Sequence, residues 1–199
     1  IGMINNNTQP NKDLKPTMTT SYELGLEMKF FHNRLSLDVT YYNQSSKNQI
    51  IGLASSSTSG YNYRLINAGE IQNKGIEIAL NGRALQIKDF AWDFGINFSK
   101  NSNKVKSLTD GMDYFEIEKA MWCNVSVGAE VGKNFGSIVA PDFKRNANGD
   151  ILINGETGMP IYDETPRTIG NATWDWTGGF YHTLSYKNFR LSAAFDVKV

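Results

Sequence analysis

Six segments of the chain alternate apolar and polar residues with a period of two, the pattern of β-strands that have one apolar face. Several approach ten residues, longer than the usual strand of five or six. The alternation therefore predicts an all-β, antiparallel fold. The six segments cover residues 19–30, 35–42, 75–81, 90–99, 174–185 and 189–199.

All charged residues in these segments lie on the polar face. If charge were independent of the face, ten out of ten would fall there roughly once in a thousand trials. A Lys or Arg turned to lipid at mid-membrane costs about 2–4 kcal/mol, so a lipid-facing surface would exclude charge in this way. The ten are Glu23, Glu27, Lys29, Asp38, Glu77, Asp93, Asp175, Arg190, Asp196 and Lys198.

The connections between the segments are alternately short and long. Residues 31–34 and 186–188 are tight turns and 82–89 is short to medium, whereas 43–74 and 100–173 are long excursions. Outer-membrane barrels combine short turns at one rim with long external loops at the other. We therefore predict a transmembrane β-barrel with long extracellular loops. Small hairpins are expected within the second loop, one of them near Asn148-Gly149.

A soluble β-sandwich also alternates apolar and polar residues, and it is the main alternative. Long strands and aromatic residues near their ends favour the barrel. The competing functions are a passive porin or adhesin barrel and a soluble β-sandwich carbohydrate-binding module.

Composition excludes several other classes. Lys+Arg and Asp+Glu both number 20, so no basic excess indicates nucleic-acid binding. Cys123 is the single cysteine and can form neither an internal disulfide nor a thiolate metal site alone. No apolar stretch approaches the length of a transmembrane helix. Because no nucleophile, acid–base set or phosphate loop is evident, we predict no enzymatic activity, no cofactor and no metal site.

The segment from Asn67-Ala68-Gly69 to Gly75-Ile76-Glu77 is the most specific of several motifs in the chain. It resembles the NAG…GIE stretch of SusC/RagA-type TonB-dependent outer-membrane transporters. One departure is Thr17, where the family commonly has Glu after Lys-Pro. The other resembling stretches are Leu14-Lys15-Pro16 with Thr20–Gly25, Phe30–Leu35, Asp38–Tyr42, Trp92–Ser99 and Ser185–Ser192.

The resemblance implies a fold and a function. Family members have a plug domain and a barrel of about 22 strands, so residues 1–199 are expected to be a partial barrel domain without the plug. The resemblance also implies active import of oligosaccharides or oligopeptides across a Gram-negative outer membrane. The expected partners are a SusD-like surface lipoprotein, the lipid bilayer, and TonB through parts outside this segment.

Aromatic residues in the long excursions are the candidates for ligand or partner contact. Stacking on a ligand is one interpretation, and packing that holds the loops together is the other. These candidates are Tyr61, Tyr63, Tyr114, Phe115 and Trp122.

Overall fold

A computed structural model describes residues 7–109 and 111–199. The chain divides into unit 1, Ile1–Asn103 with Trp174–Val199, and unit 2, Lys104–Thr173. Strands dominate both units, and no helix among the described residues has the length and apolarity needed to cross a membrane. The strands are β1 Thr8–Gln9, β2 Met18–Phe30, β3 Leu35–Ala54, β4 Tyr63–Ile87, β5 Phe90–Ser107, β6 Tyr114–Lys119, β7 Ser126–Glu130, β8 Phe135–Phe143, β9 Tyr162–Asn171, β10 Thr177–Tyr186 and β11 Phe189–Lys198.

The six predicted segments fall in β2, β3, β4, β5, β10 and β11, which form one sheet in this order, and β1 pairs in parallel with β4. The predicted all-β, antiparallel fold is confirmed. The N–H of Lys187 donates to the carbonyl of Asp89, and the N–H of Arg83 donates to the carbonyl of Arg34. The short turns after β2, β4 and β10 therefore lie at one end of the sheet, as predicted.

The predicted long loop over residues 43–74 is wrong. β3 continues to Ala54 and pairs with β4 from Leu35↔Gly82 to Ala54↔Tyr63. The connection that remains contains a short 3-10 helix, Ser57–Ser59. Much of the added strand length is polar on both faces, so it lacks the period-two signal, although its backbone groups pair as fully as those of an amphipathic strand.

The predicted excursion over residues 100–173 contains hairpins, as expected, but it begins later than predicted and most of it is a folded unit with its own sheet. β5 continues to Ser107, and β6, β7, β8 and β9 form a four-stranded sheet in that order. Val105, Ala129 and Ala140 are buried there. Each strand pair contains a register irregularity, which breaks the alternation in the sequence. The turn at Asn148-Gly149 lies at the tip of a small hairpin, where Arg145 bridges Ile151.

The apolar face of the unit 1 sheet is exposed. Leu24 is 74% exposed, Leu191 65% and Phe195 58%. In a sandwich, the apolar face packs against a second sheet and is buried. The exposure of this face is typical of a surface that meets lipid.

Candidate functional site

Strand pairing aligns the polar faces of unit 1 into one surface. Directly opposed residues of an antiparallel pair share a face. Glu27 pairs with Asp38, and Asp93 pairs with Thr183. On the other face, Leu26 pairs with Val39. The sheet therefore has one polar and one apolar face.

An open groove of about 600 Å³ lies on the polar face of unit 1. Residues of β3, β4, β5, β10 and β11 line it, so the sheet curves around the groove and its polar face is concave. The charged residues of the groove are Asp38, Glu77, Asp196 and Lys198. With Thr40, Asn97 and Ser99, they offer hydrogen-bond donors and acceptors to a polar solute.

Tyr181 crosses a neighbouring strand on the polar face. Its ring lies over Gly95, where an added Cβ would collide with ring atoms. Its hydroxyl donates to Oδ1 of Asn81 at 2.7 Å, so the side chain spans from β10 over β5 to β4. A glycine covered by an aromatic ring is a known way to curve and pin a sheet.

Tyr42 repeats this arrangement from β3. Its ring lies over Gly75, where an added Cβ would be 2.5 Å from the tyrosine hydroxyl. The hydroxyl donates to Oδ1 of Asn101 at 3.2 Å. Sequence reasoning missed both tyrosines as cross-strand bridges. The sequence feature that could have identified them is a tyrosine and a glycine at polar-face positions of two adjacent strands.

Two of the family-like motifs meet at Asn67. Its side chain accepts a hydrogen bond from the N–H of Lys15 at 2.8 Å and donates to the carbonyl of Lys15 at 2.7 Å. It also donates to the carbonyl of Asn48 at 3.0 Å. Next to it, Ala68 is buried, and Gly69 has a φ of 38° that favours glycine. The Asn67-Ala68-Gly69 motif therefore fastens the Leu14-Lys15-Pro16 segment to the β3–β4 hairpin.

A second groove, of about 790 Å³, lies within unit 2. Tyr114 lines it, and its hydroxyl is 2.9 Å from the hydroxyl of Ser126. The ring lies over Gly128, so only a glycine lets it lie flat on the sheet. Around it are the carboxylates Asp113, Glu116, Glu130 and Glu164 and the cations Lys119, Lys133 and Arg167. This mixture fits a polar ligand with an apolar face that can stack on the ring.

Two hydrogen-bonded contacts fix the groove wall on β9. Thr168 donates to Glu130 at 2.7 Å. Arg167 pairs with Asp142 at 2.7 Å and donates to the carbonyl of Phe143 at 2.9 Å. The N–H of Phe143, followed by the cations of Arg167 and Arg145, holds the pKa of Asp142 below its ordinary value. Arg167 is thus held in place by its own unit.

The five predicted contact residues lie in different settings. In unit 1, Tyr61 lies in the connection before β4, and Tyr63 begins β4 opposite Ala54. In unit 2, Phe115 pairs with Ala129 on the face opposite to Tyr114, so β6 does not bring these two rings together. Trp122 is 94% exposed between β6 and β7. Of the three candidates in unit 2, Tyr114 lines the groove.

The chain is similar to a known protein family and to several curated proteins. Residues 2–197 match the family described as TonB dependent receptor-like, beta-barrel. The chain is 29% identical over 210 residues to TonB-dependent receptor P3 of Formosa agariphila, which covers 95% of the chain and 21% of that receptor. It is 28% identical over 202 residues to TonB-dependent receptor SusC of Bacteroides thetaiotaomicron, which covers 92% of the chain and 19% of SusC. The chain thus spans about a fifth of the length of these curated relatives.

Solved structures share the fold. The RagAB peptide importer in its open-open state superposes with a TM-score of 0.75 at 23% identity, covering 96% of the chain and 21% of that protein. Its closed-closed state gives a TM-score of 0.75 at 22% identity, with 95% and 22% covered. Together with the SusC match, these findings confirm the resemblance to SusC/RagA-type proteins.

Proposed function

The chain belongs to the TonB-dependent receptor-like β-barrel family, and from this membership we propose that it forms part of the wall of an outer-membrane transporter. Unit 1 inserts into the outer membrane of a Gram-negative bacterium, with its apolar face toward lipid and its polar groove toward the lumen. The observation that carries the proposal is the contrast between an exposed apolar face and a concave polar one. A transmembrane barrel needs this arrangement.

The spacing of aromatic residues supports this placement. Trp176 lies immediately before β10 and Tyr186 is its last residue, and both fall on the apolar face of the alternation. Ten residues at about 3.3 Å each span roughly 33 Å along the strand. A tilt of about 40° reduces this to roughly 25 Å, the height of the apolar band in such barrels.

The transported solutes are oligosaccharides or oligopeptides, and import is active. SusC is named a TonB-dependent receptor, and RagAB is described as a peptide importer. By analogy, TonB drives this transporter through parts outside the chain, and a SusD-like surface lipoprotein captures the solute. The groove on the polar face offers both donors and acceptors to such solutes.

Unit 2 contributes contacts to the solute or to the lipoprotein. Tyr114 offers a fixed ring within a polar groove. Trp122 offers a large, exposed apolar side chain, a residue type common at the centres of protein interfaces. Tyr61, Tyr63 and Phe115 are the remaining candidates for these contacts.

The test is growth of the source bacterium on panels of oligosaccharides and oligopeptides as nutrients. We expect loss of the full-length receptor to abolish growth on at least one compound, and loss of TonB to abolish growth on the same compound. Receptor-dependent growth that persists without TonB would indicate a passive porin. Unchanged growth on every compound of both panels would reject the transport proposal.

A further inference from the structure

The apolar face of unit 1 ends abruptly on β3 and β4. Tyr41 pairs with Ile76 at the end of the apolar stretch, and the next pair on this face is Asn43 with Lys74. Both strands then continue, so the face changes from apolar to polar without a change of strand. This boundary lies at the end of the sheet away from the short turns, and short turns face the periplasm in outer-membrane barrels.

Beyond the boundary, the outward face carries a ladder of polar contacts. Gln72 donates to the side chain of Asn43 at 2.9 Å. Ser45 donates to Glu70 at 2.5 Å, and Lys47 lies 3.7 Å from the same carboxylate. These contacts show that the polar side chains of β3 and β4 lie side by side on the same face. Glu70 compensates the charge of Lys47.

Lys74 and Lys100 differ from Lys47 in their surroundings. Both are exposed. Among residues 7–109 and 111–199, no carboxylate lies within 4.0 Å of either ammonium group. Lys100 is two residues after Phe98 on β5, so the two side chains share the outward face. Gly75, the residue after Lys74, packs against the backbone carbonyl of Lys100. Lys74 and Lys100 therefore lie on adjacent strands near the same level, and both fall on the outward-facing side of the alternation.

Aromatic rings lie on the membrane side of these lysines. Tyr41 lies just inside the boundary on β3. Phe98 contacts Trp176, with 5.8 Å between ring centroids. Aromatic rings collect at the level of lipid headgroups, and a lysine can bury its alkyl stem while its ammonium reaches the polar layer. At this height, on the outer surface of a barrel, the neighbouring molecules are lipids.

We propose that Lys74 and Lys100 bind the phosphate of an anionic lipid headgroup in the outer leaflet. This inference rests on the proposed insertion of unit 1 in the membrane. The ammonium groups supply the charge, Asn43 can donate a further hydrogen bond, and the aromatic side chains meet the upper part of the acyl chains. The headgroup thereby compensates charges that the described part of the chain leaves uncompensated.

The experiment uses the full-length receptor in nanodiscs that contain phosphatidylcholine with a minor fraction of phosphatidylglycerol. Native mass spectrometry measures the phosphatidylglycerol retained by each barrel, for wild type and for Lys74→Gln/Lys100→Gln. An anionic membrane surface attracts each nearby lysine with about 1 kcal/mol, which corresponds to about fivefold in affinity. We therefore expect retention to be weakened roughly 25-fold in the double variant.

Lys29→Gln/Arg190→Gln is the matched control, because it removes two positive charges from the polar faces of β2 and β11 at positions that do not line the groove. It should retain phosphatidylglycerol as wild type does. Equal retention in the lysine variant and wild type would overturn the proposal, as would an equal loss in the control. If the lysine variant does not fold, wild-type retention must fall steeply with added salt, and retention independent of salt would overturn the proposal.

The two proposals can fail separately. Gel mobility that changes on heating reports whether the barrel has folded and inserted. A wild-type receptor without this behaviour would contradict the proposed wall function. A folded receptor that retains phosphatidylcholine and phosphatidylglycerol equally would reject only the headgroup site.

Discussion

Tyr42 and Tyr181 each tie three strands of unit 1 together by covering a glycine and bonding to the strand beyond it. The glycine and the tyrosine depend on each other: a larger residue would displace the ring, and without the ring the backbone at the glycine would be uncovered. Because both arrangements lie on the polar face, they curve the sheet without placing a polar hydroxyl in lipid.

Gly95→Ala should destabilise the barrel by about 1–3 kcal/mol, since the new methyl group overlaps the ring of Tyr181. The measurement is the midpoint of urea unfolding in detergent or lipid. Gly25→Ala is the matched control on the same face, because the nearest atom to its new Cβ is Oγ1 of Thr40 at 3.8 Å. Adding Tyr181→Ala should restore part of the loss at Gly95. Equal destabilisation by both glycine variants would contradict this explanation.

Asp142 should give unit 2 an acid-sensitive stability. Its pKa is lowered in the folded state, so its contribution is fully present above the ordinary value of 3.8 and is lost as the pH falls through the lowered value. Amide hydrogen exchange of β8 and β9 should therefore accelerate in that acidic range. Asp142→Asn should exchange faster at neutral pH and lose this pH dependence. If the variant keeps the wild-type acid profile, the carboxylate is not the group responsible.

At the scale of elements, the period-two alternation correctly predicted the strands that have one apolar and one polar face. It failed where polar residues occupy both faces of a strand, as from Asn43 to Gln49, because no apolar residues recur there with a period of two. It also failed in unit 2, where register irregularities interrupt the period. The grooves could not be predicted either, since they depend on curvature and on which residues strand pairing brings together. Tyr114 was predicted from its residue type and its place in a long excursion.

Because β5 has one apolar and one polar face, an arginine should cost very different amounts of stability at positions on its two faces. Phe94→Arg should cost about 2–4 kcal/mol if the site lies near mid-membrane, because the cation would face lipid. Asn97→Arg should cost much less, because Asn97 lines the groove that also contains Asp38, Glu77 and Asp196. Asp93 is less suitable as a control, since it pairs with Arg83 at 2.7 Å. Equal losses in urea unfolding of the two arginine variants would contradict the lipid-facing assignment.

At the scale of the whole molecule, the two units of the chain are built from different strands. Unit 1 contains the long paired strands, and unit 2 is inserted in the chain between β5 and β10. These two strands pair directly, with Ser99 opposite Thr177, so the insertion is not needed to hold them side by side. Such an arrangement lets unit 2 diverge in sequence and structure while the wall is retained.

Replacing residues 104–173 by a short Gly-Ser linker should therefore leave the barrel folded, because the paired ends of β5 and β10 need only a short connection. Heat-modifiable gel mobility should be unchanged, whereas growth on the imported compound should be lost if unit 2 contacts the solute or the lipoprotein. Replacing only 144–161 by a two-residue Asn-Gly turn is the matched control, because a β-hairpin needs about two residues to close. Phe143 and Tyr162 pair at the base of this segment, and none of the groove residues lies within it, so growth should persist. Loss of the folded form in the larger deletion would make unit 2 part of the wall. An intact barrel with normal growth would remove the contact function from unit 2.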